Sequence, residues 1–230
     1  MAKRIGILGG LAPESTVSYY QHIVRSWQRQ HGNHAFPEIV IYSVSFQRYE
    51  DWMEAGEWDR IEEALGDALR CLRLAGADFA VLATNTMHLL FDRLQARAGF
   101  PLLSIVDATG QAVQGAGLRV VGLLGTRFTM ERPFYRDGLE RRGISTVVPD
   151  AADRDEIHRV IVQELSLGEL KPSSRQRYLD IIGGLVERGA QGIVLGCTEI
   201  PLLVTSEHAS VPLFDTAALH AQAALAYAVD

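Results

Sequence analysis

Short apolar runs rich in β-branched residues alternate along the chain with longer amphipathic stretches. The runs predict eight strands, at residues 4–8, 38–44, 79–83, 102–106, 119–124, 144–148, 192–195 and 212–214. The stretches between them have helical periodicity, as in residues 61–78, where apolar side chains recur at i, i+3 and i+4: Ile61, Ala64, Leu65, Ala68, Leu72 and Ala75. Alternation of strands and helices is typical of right-handed βαβ units and parallel sheets, so the pattern predicts an α/β protein.

The chain also contains an internal repeat. VLATNTMHLL at 81–90 is echoed by VLGCTEIPLL at 194–203, and each follows a Gly-Ala pair, at 76–77 and 189–190, so both pairs share an offset of 113 positions. KRIGILGG at 3–10 matches RVVGLLGT at 119–126, and PLLSIVDAT at 101–109 resembles VPLFDTA at 211–217. The repeat predicts two pseudo-symmetric lobes, each a four-stranded parallel sheet flanked by helices. We place the first at 1–110 plus 211–230 and the second at 111–210, because QAVQGAG near 111–117 loses the apolar pattern.

Polar side chains follow the predicted strands of both halves. Gly9-Gly10, Thr84-Asn85-Thr86, Gly125-Thr126 and Cys197-Thr198-Glu199 each come just past a strand. Ligands of open α/β sheets bind at the carboxyl ends of the strands, so we expect an active site in a cleft between the lobes. The repeat would place Thr84 and Cys197 at opposite faces of one ligand. That arrangement suits removal of a proton from one face of a carbon atom and its return to the other.

The candidate residues also have structural interpretations. Cys197 precedes a predicted helix, whose N-terminus would favour its thiolate, although a lone cysteine is often only a small buried side chain. Its place in the repeat favours catalysis, whereas Cys71, beside an apolar stripe, is predicted to pack in a core. Thr84 and Thr86 could cap a helix, and His88 could pack beside the site.

Composition narrows the range of partners. The chain has 230 residues, of which 47% are hydrophobic, enough for one domain or two small ones. Its net charge of −6 argues against nucleic acid or anionic membranes as partners. No apolar run reaches the roughly 20 residues of a membrane helix, and MAKRIGILGG has no signal-peptide pattern, so we expect a cytoplasmic protein. Small molecules or proteins are the expected partners.

Sequence motifs for common cofactors are missing. A pyridoxal enzyme needs a Schiff-base lysine, and the two lysines, Lys3 and Lys171, precede a strand and abut a proline. GILGGLAPE lacks the GxGxxG spacing, no GxxxxGK[ST] occurs, and the seven histidines form no HExxH. We therefore expect chemistry without a cofactor or a metal.

Four motifs carry a resemblance to a known family. Through GILGGLAPEST, TNTMH, LLGTRFTME and LGCTEIPLL, spread over nearly the whole chain, the sequence resembles the cofactor-independent Asp/Glu racemase superfamily, specifically its aspartate racemase branch. Glutamate racemases usually carry Cys-Thr-His at the last motif, whereas this chain has Cys197-Thr198-Glu199, like the aspartate branch. The resemblance implies two pseudo-symmetric lobes, a homodimer and a pair of cysteines flanking the α-carbon.

Thr84 stands where the family's first cysteine belongs. In this respect the chain resembles the L-aspartate/glutamate-specific racemases, which pair a threonine with a cysteine. The resemblance implies racemisation of aspartate and/or glutamate, with Cys197 facing the L-enantiomer and Thr84 acting as a much weaker base. Because the equilibrium constant of racemisation is one, such asymmetry would show in kcat and KM separately.

The resemblance also implies a binding set. Asn85, Thr86, Thr198 and the pair Thr126 and Thr129 would hold the α-carboxylate, and Gly10 would allow close backbone approach. Arg48 would grip the side-chain carboxylate, although it could equally be a surface arginine. Glu199 would join the substrate site or serve only as a first-turn helix acid. Ser166 replaces a family lysine, which argues against strict aspartate specificity.

Two other functional classes stay open at this point. Relatives with a single catalytic cysteine carry out decarboxylation or cis-trans isomerisation, which deuterium exchange into the substrate would distinguish. A non-catalytic two-lobed binder of small ligands is the third possibility. Such a binder should tolerate Cys197→Ala, whereas an enzyme should not.

Overall fold

The secondary structure follows the predicted alternation of strands and helices. A computed structural model describes residues 2–230, so Met1 lies outside the described residues. The strands are Ile5–Gly9 (β1), Ile39–Ser43 (β2), Phe79–Leu82 (β3), Leu102–Leu103 (β4), Val120–Gly125 (β5), Ser145–Val147 (β6), Ile193–Gly196 (β7) and Leu213–Asp215 (β8). The helices are Pro13–His31 (α1), Phe46–Glu54 (α2), Trp58–Leu74 (α3), Phe91–Ala98 (α4), Ile105–Gly115 (α5), Arg127–Glu131 (α6), Pro133–Glu140 (α7), Ala151–Gln163 (α8), Pro172–Glu187 (α9), Ile200–Leu203 (α10) and Thr216–Val229 (α11).

The strands form two parallel sheets of four. Their orders are β2-β1-β3-β4 and β6-β5-β7-β8, so the same order occurs twice along the chain. Ile7 of β1 pairs with Ile41 on one side and Val81 on the other, and β5 pairs with β6 and β7 in the same parallel sense. The predicted α/β fold with two four-stranded parallel sheets is confirmed.

The chain divides into two compact units. The first runs up to Ile105 and includes His220–Asp230, and the second is Val106–Leu219. The C-terminal segment is tied into the first unit by the Lys3 backbone N–H, which donates to the Ala228 carbonyl at 2.7 Å. These divisions differ from the sequence-based ones: residues 110–115 continue helix α5, and the second division falls inside α11.

Each unit has a core built from the strand faces and the helix stripes. In the first unit, α3 packs its buried stripe against the sheet through Ile61, Leu65, Ala68, Leu69 and Leu72. All residues of β1 and β3 are buried, which explains their near-continuous apolar sequence, since helices cover both faces of a parallel sheet. The carboxyl ends of the central strands are therefore held in fixed backbone positions.

Two predictions about local structure are wrong. The predicted strand at 102–106 ends after Leu103, and Ile105 begins helix α5; this apolar run is too short for its periodicity to distinguish a strand from a buried helix start. Cys71, predicted to pack in the core, is exposed, because α3 turns Ala68 and Leu72 inward and Cys71 outward.

None of the helices found in residues 2–230 is long and apolar enough to cross a membrane.

A buried hydrogen-bonded histidine joins helices α1 and α11 to the end of β4. The Tyr19 hydroxyl lies 2.8 Å from His220 Nδ1, and His220 Nε2 lies 2.9 Å from the Leu103 carbonyl oxygen. Because a carbonyl can only accept, Nε2 carries the proton and Nδ1 accepts from Tyr19. Burial, followed by the neighbouring His88, lowers the pKa of His220 to about 3.

We expect this histidine to make the protein less stable in mild acid. The pKa of His220 is lower in the folded than in the unfolded chain, so the unfolded chain binds the extra proton first as pH falls. Between about pH 6.5 and pH 3, His220 should lower the free energy of unfolding by up to about 1.4 kcal/mol per pH unit. The free energy of unfolding, measured with urea at several pH values, should depend less steeply on pH in His220→Gln than in the parent. His34→Gln, at an exposed position, is the control, and parallel curves for parent and His220→Gln would contradict the expectation.

Candidate active site

The first glycine pair lies at the end of β1. Gly10 has a φ of +85°, and its N–H donates to the Thr16 hydroxyl at 2.8 Å. A Cβ on Gly10 would collide with the backbone of Val44, so the close approach that requires glycine here is to the protein's own chain. The role of Gly10 toward a substrate stays a prediction.

The TNTMH motif follows β3 directly and is buried. Thr84, Asn85 and Thr86 are all less than a tenth exposed. The Thr84 N–H donates to the Leu82 carbonyl at 2.8 Å, and the Thr84 carbonyl lies 2.8 Å from Nδ1 of His88. Asn85 holds the N-cap position of a 3₁₀ turn at Thr86–Leu90, and its side chain makes no capping bond.

The segment after β5, which corresponds in the repeat to the segment after β1, has a clear structural role. The Thr126 hydroxyl caps α6 by accepting from the Thr129 N–H at 3.4 Å. Thr129 is fully buried, and a Cβ on Gly125 or on Gly196 would come within 2.9 Å of its methyl group. Both threonines therefore have structural roles. Their contact with the α-carboxylate of a substrate stays a prediction.

Cys197 lies just past β7 and is bonded to an acid. Its Sγ donates to Glu199 Oε2 at 2.9 Å, and the Thr198 hydroxyl donates to the same oxygen at 2.9 Å. Glu199 holds the N-cap position of α10, and its side chain makes no capping bond there. The pairing of thiol and carboxylate assembles a potential proton donor and acceptor within a buried site.

The sequence predicts that the start of the following helix favours a thiolate at Cys197, and burial opposes this effect. Burial, and then the Glu199 carboxylate, raise the pKa of the Cys197 thiol well above its ordinary value. Helix α10 spans only Ile200–Leu203, and backbone N–H bonds from Thr198 and Glu199 oppose that shift without overcoming it. The thiol therefore rests protonated at neutral pH.

Apolar side chains surround the thiol within the second unit. Cys197 belongs to a hydrophobic cluster with Met130, Leu165 and Ile200. Tyr178 of the same cluster is fully buried and donates from its hydroxyl to the Ile157 carbonyl at 3.0 Å. Electrostatic interactions in such surroundings are stronger than in water, so a charge that moves between thiol and carboxylate has a large effect on both.

Comparison with known proteins decides the family. The family model described as Asp/Glu/Hydantoin racemase matches residues 8–224. The chain belongs to this family. A crystal structure of a candidate Asp/Glu racemase from Yersinia pestis is 44% identical, covers 99% of this chain and 100% of that chain, and has a TM-score of 0.93. An aspartate racemase homologue from Pyrococcus horikoshii is 35% identical over all of both chains, with a TM-score of 0.88.

A curated relative has a named activity. The broad specificity amino-acid racemase RacX of Bacillus subtilis is 25% identical over 93% of this chain and 93% of its own length. The predicted superfamily and its aspartate racemase branch are confirmed. The chain is accordingly an isomerase of the pyridoxal-independent racemase type.

Arg48, expected to bind the side-chain carboxylate, and Ser166, which replaces a family lysine, are both exposed. Arg48 is exposed on α2, and its guanidinium lies over the rings of Tyr49 and Trp52, with its central carbon 5.7 and 5.1 Å from their centroids. Ser166 is exposed and donates to the Val162 carbonyl at 2.6 Å. Within residues 2–230, no group of three or more His, Cys, Asp or Glu side chains could hold a metal ion.

Sequence reasoning missed one residue, Thr16, and one side-chain contact, between Cys197 and Glu199. Thr16 packs over Gly9 at the end of β1 much as Thr129 packs over Gly125 at the end of β5. The signal was present, because the offset of 113 that relates 81 to 194 also relates Thr16 to Thr129. The partnership of Cys197 with Glu199 had no such signal, since a spacing of two in a loop does not fix side-chain directions.

Proposed function

We propose that this protein racemises an acidic amino acid, aspartate and/or glutamate, without a cofactor and with preference for the L-enantiomer. Cys197 exchanges the α-proton at one face of the α-carbon and Thr84 at the other. The observation that carries the proposal is the buried thiol that donates to Glu199 at 2.9 Å. Membership of the racemase family and the 25% identity to a broad specificity amino-acid racemase support the same chemistry.

The resting thiol defines the order of proton movements. Glu199 accepts the Cys197 proton, and the thiolate so formed removes the α-proton of the L-amino acid. The electron pair of the broken C–H bond enters an enolate at the α-carboxylate. The Thr84 hydroxyl then donates to the opposite face while it takes a proton from water, and the proton held by Glu199 returns to solvent. The reverse sequence converts the D-amino acid.

The remaining predicted residues serve binding in this proposal. Backbone and side-chain donors of Asn85, Thr86 and Thr198, together with Thr126 and Thr129, hold the α-carboxylate, where negative charge grows in the transition state. Glu199 acts on the thiol, and Gly10 shapes the adjoining backbone.

Arg48 binds the side-chain carboxylate in this proposal, so its loss should mainly affect binding. In Arg48→Ala we expect KM for the L-substrate to rise about tenfold or more, with a smaller change in kcat, because a charged hydrogen bond contributes about 1.5–3 kcal/mol. Arg60→Ala is a matched control: Arg60 also lies over Trp52, at 4.9 Å, but pairs with Glu57. Steady-state kinetics of both variants test this, and equal KM values for Arg48→Ala and the parent would make Arg48 a surface residue.

A cytoplasmic location and a homodimer also stay predictions. Analytical ultracentrifugation of the purified chain tests the second. A sedimentation coefficient of a 25.3 kDa monomer at micromolar concentration would exclude a stable dimer.

Proton NMR in D₂O tests the function. L-Asp, L-Glu and their D-forms are incubated separately with the protein, and chiral chromatography follows the opposite enantiomer. Loss of the α-proton signal together with growth of the opposite enantiomer would establish racemisation and rank the substrates. Absence of exchange with all four would contradict the acidic substrate, and the neutral amino acids would then be tested because the Bacillus subtilis relative is named as broad in specificity.

The same experiment separates the other classes. A decarboxylase would release carbon dioxide from a malonate-type acid, and an isomerase would convert a cis to a trans unsaturated acid, both without amino acid racemisation. A binder would retain its ligand in Cys197→Ala and show no turnover.

A further inference from the structure

His88 makes a buried bridge behind the Thr84 segment. Its side chain is only 3% exposed. Nδ1 lies 2.8 Å from the Thr84 carbonyl oxygen, and the Ile105 N–H donates to Nε2 at 3.0 Å. Its ring stacks on Phe91 with centroids 5.3 Å apart. The imidazole thus joins the loop after β3 to the first residue of α5.

The two bonds fix the state of the ring. The Thr84 carbonyl can only accept, so Nδ1 of His88 must carry a proton. The Ile105 N–H can only donate, so Nε2 of His88 must be unprotonated. Both bonds are satisfied only by the neutral ring with its proton on Nδ1. His88 is therefore a fixed hydrogen-bonding bridge in this arrangement and has no lone pair or proton left over for a substrate.

The His88 bridge restrains Thr84, whose hydroxyl is the proposed proton donor. Thr84 is held through its N–H by the Leu82 carbonyl and through its carbonyl by His88. With both backbone groups bonded, the peptide planes on either side of Thr84 are restrained, and the origin of its side chain is restrained with them. Proton donation to carbon depends steeply on such placement, since a shift of about 1 Å can lower a rate roughly 10²-fold.

We propose that His88 is a positioning residue for Thr84, which it places for proton transfer to the face of the α-carbon opposite Cys197. This inference rests on the racemase function proposed above. In it, Cys197 and Glu199 generate the enolate without help from His88, and His88 decides how efficiently Thr84 completes the inversion.

A partition measurement separates this role from a general loss of structure. In D₂O, the thiol that holds the removed protium exchanges with solvent deuterium through Glu199. The enolate formed from the L-amino acid then either receives deuterium from Cys197 and stays L, now deuterated, or receives it through Thr84 and becomes D. The ratio of deuterated L to D product therefore reports on Thr84. A variant that is merely less stable has fewer active molecules, which lowers both products equally and leaves the ratio unchanged.

Two substitutions dissect the bridge. In His88→Asn the amide nitrogen takes the position of Nδ1 and can still donate to Thr84, whereas in His88→Gln the amide oxygen takes the position of Nε2 and can accept only from Ile105. We expect His88→Gln to raise the ratio of deuterated L to D about tenfold or more. His88→Asn should raise it far less, and thus rescue inversion. Leu72→Ala, which truncates a buried side chain of α3 in the same unit, is the control for stability and should leave the ratio unchanged.

The outcomes distinguish the two proposals. If the parent neither exchanges nor inverts any amino acid, the proposed function fails. If the parent does both, and His88→Gln lowers both products in proportion with Tm reduced, His88 is only structural and the inference is overturned. Equal ratios for His88→Asn and His88→Gln would likewise overturn the assignment of the effect to the Thr84 bond.

Discussion

Cys197→Ser is expected to lower kcat/KM by about 10³-fold or more for both enantiomers of the best substrate. A serine hydroxyl is a far weaker acid than a thiol, and burial together with the neighbouring Glu199 carboxylate disfavours an alkoxide at this position. Glu199 can accept a hydrogen bond from serine but would not remove its proton at neutral pH. The measurement is the initial rate of α-proton exchange in D₂O from each enantiomer.

Cys71→Ser provides the matched control for this substitution. Cys71 is the other cysteine of the chain and is exposed on α3, so its replacement should leave the rates within about twofold of the parent. Melting temperatures of both variants establish that they are folded. If Cys197→Ser kept more than a tenth of the parent exchange from the L-enantiomer, Cys197 would not be the base for that face.

Glu199→Gln is expected to lower kcat for the L-enantiomer by about 10²-fold, within the usual contribution of a positioned acid or base. The amide preserves the shape and can still accept from the thiol, but it cannot take the proton that must leave Cys197 before the α-proton is removed. The effect on kcat for the D-enantiomer should be smaller. In that direction Cys197 donates a proton, and its thiol is already protonated. Because the equilibrium constant of racemisation stays one, kcat/KM must remain equal for the two enantiomers. Unequal changes in kcat must therefore be matched by changes in KM.

The same variant should ionise its thiol more easily. The Glu199 carboxylate is the second largest cause, after burial, of the raised Cys197 pKa, so its neutralisation should lower that pKa while burial still holds it up. In a Cys71→Ser background, which lacks the exposed thiol, alkylation by iodoacetamide across a pH series should therefore become half-maximal at a lower pH in Glu199→Gln. Glu207→Gln, at an exposed position, is the control. An unchanged or higher midpoint would show that Glu199 does not carry a negative charge beside the thiol.

Local periodicity predicted the fold because each pattern concerns residues close in sequence. The apolar runs at 79–83 and 192–195 form β3 and β7. The repeat predicted two similar sheets, and both have the same strand order. The same reasoning failed for Cys71, where a helix turns neighbouring residues to opposite sides, and for residues 104–106, where a short apolar run suits a buried helix as well as a strand.

The electrostatics of the site could not be predicted in this way. The sequence placed Cys197 before a helix, but the protonation of its thiol depends on burial and on the Glu199 carboxylate 2.9 Å away. Neither the burial of the thiol nor its distance from the carboxylate can be read from the order of residues. The bridge through His88 is similar, since Ile105, which donates to it, is 17 positions away.

The placement of the last residues has a consequence for synthesis on the ribosome. Residues 220–230 complete the first unit, where Lys3 bonds to Ala228 and His220 to Leu103, whereas the second unit is one continuous stretch of chain. We therefore expect the second unit to be completed before the first during translation, the reverse of the usual order in which N-terminal domains fold first. Residues 106–219 can form their native contacts before residues 220–230 have left the exit tunnel, whereas the first unit cannot be completed until then.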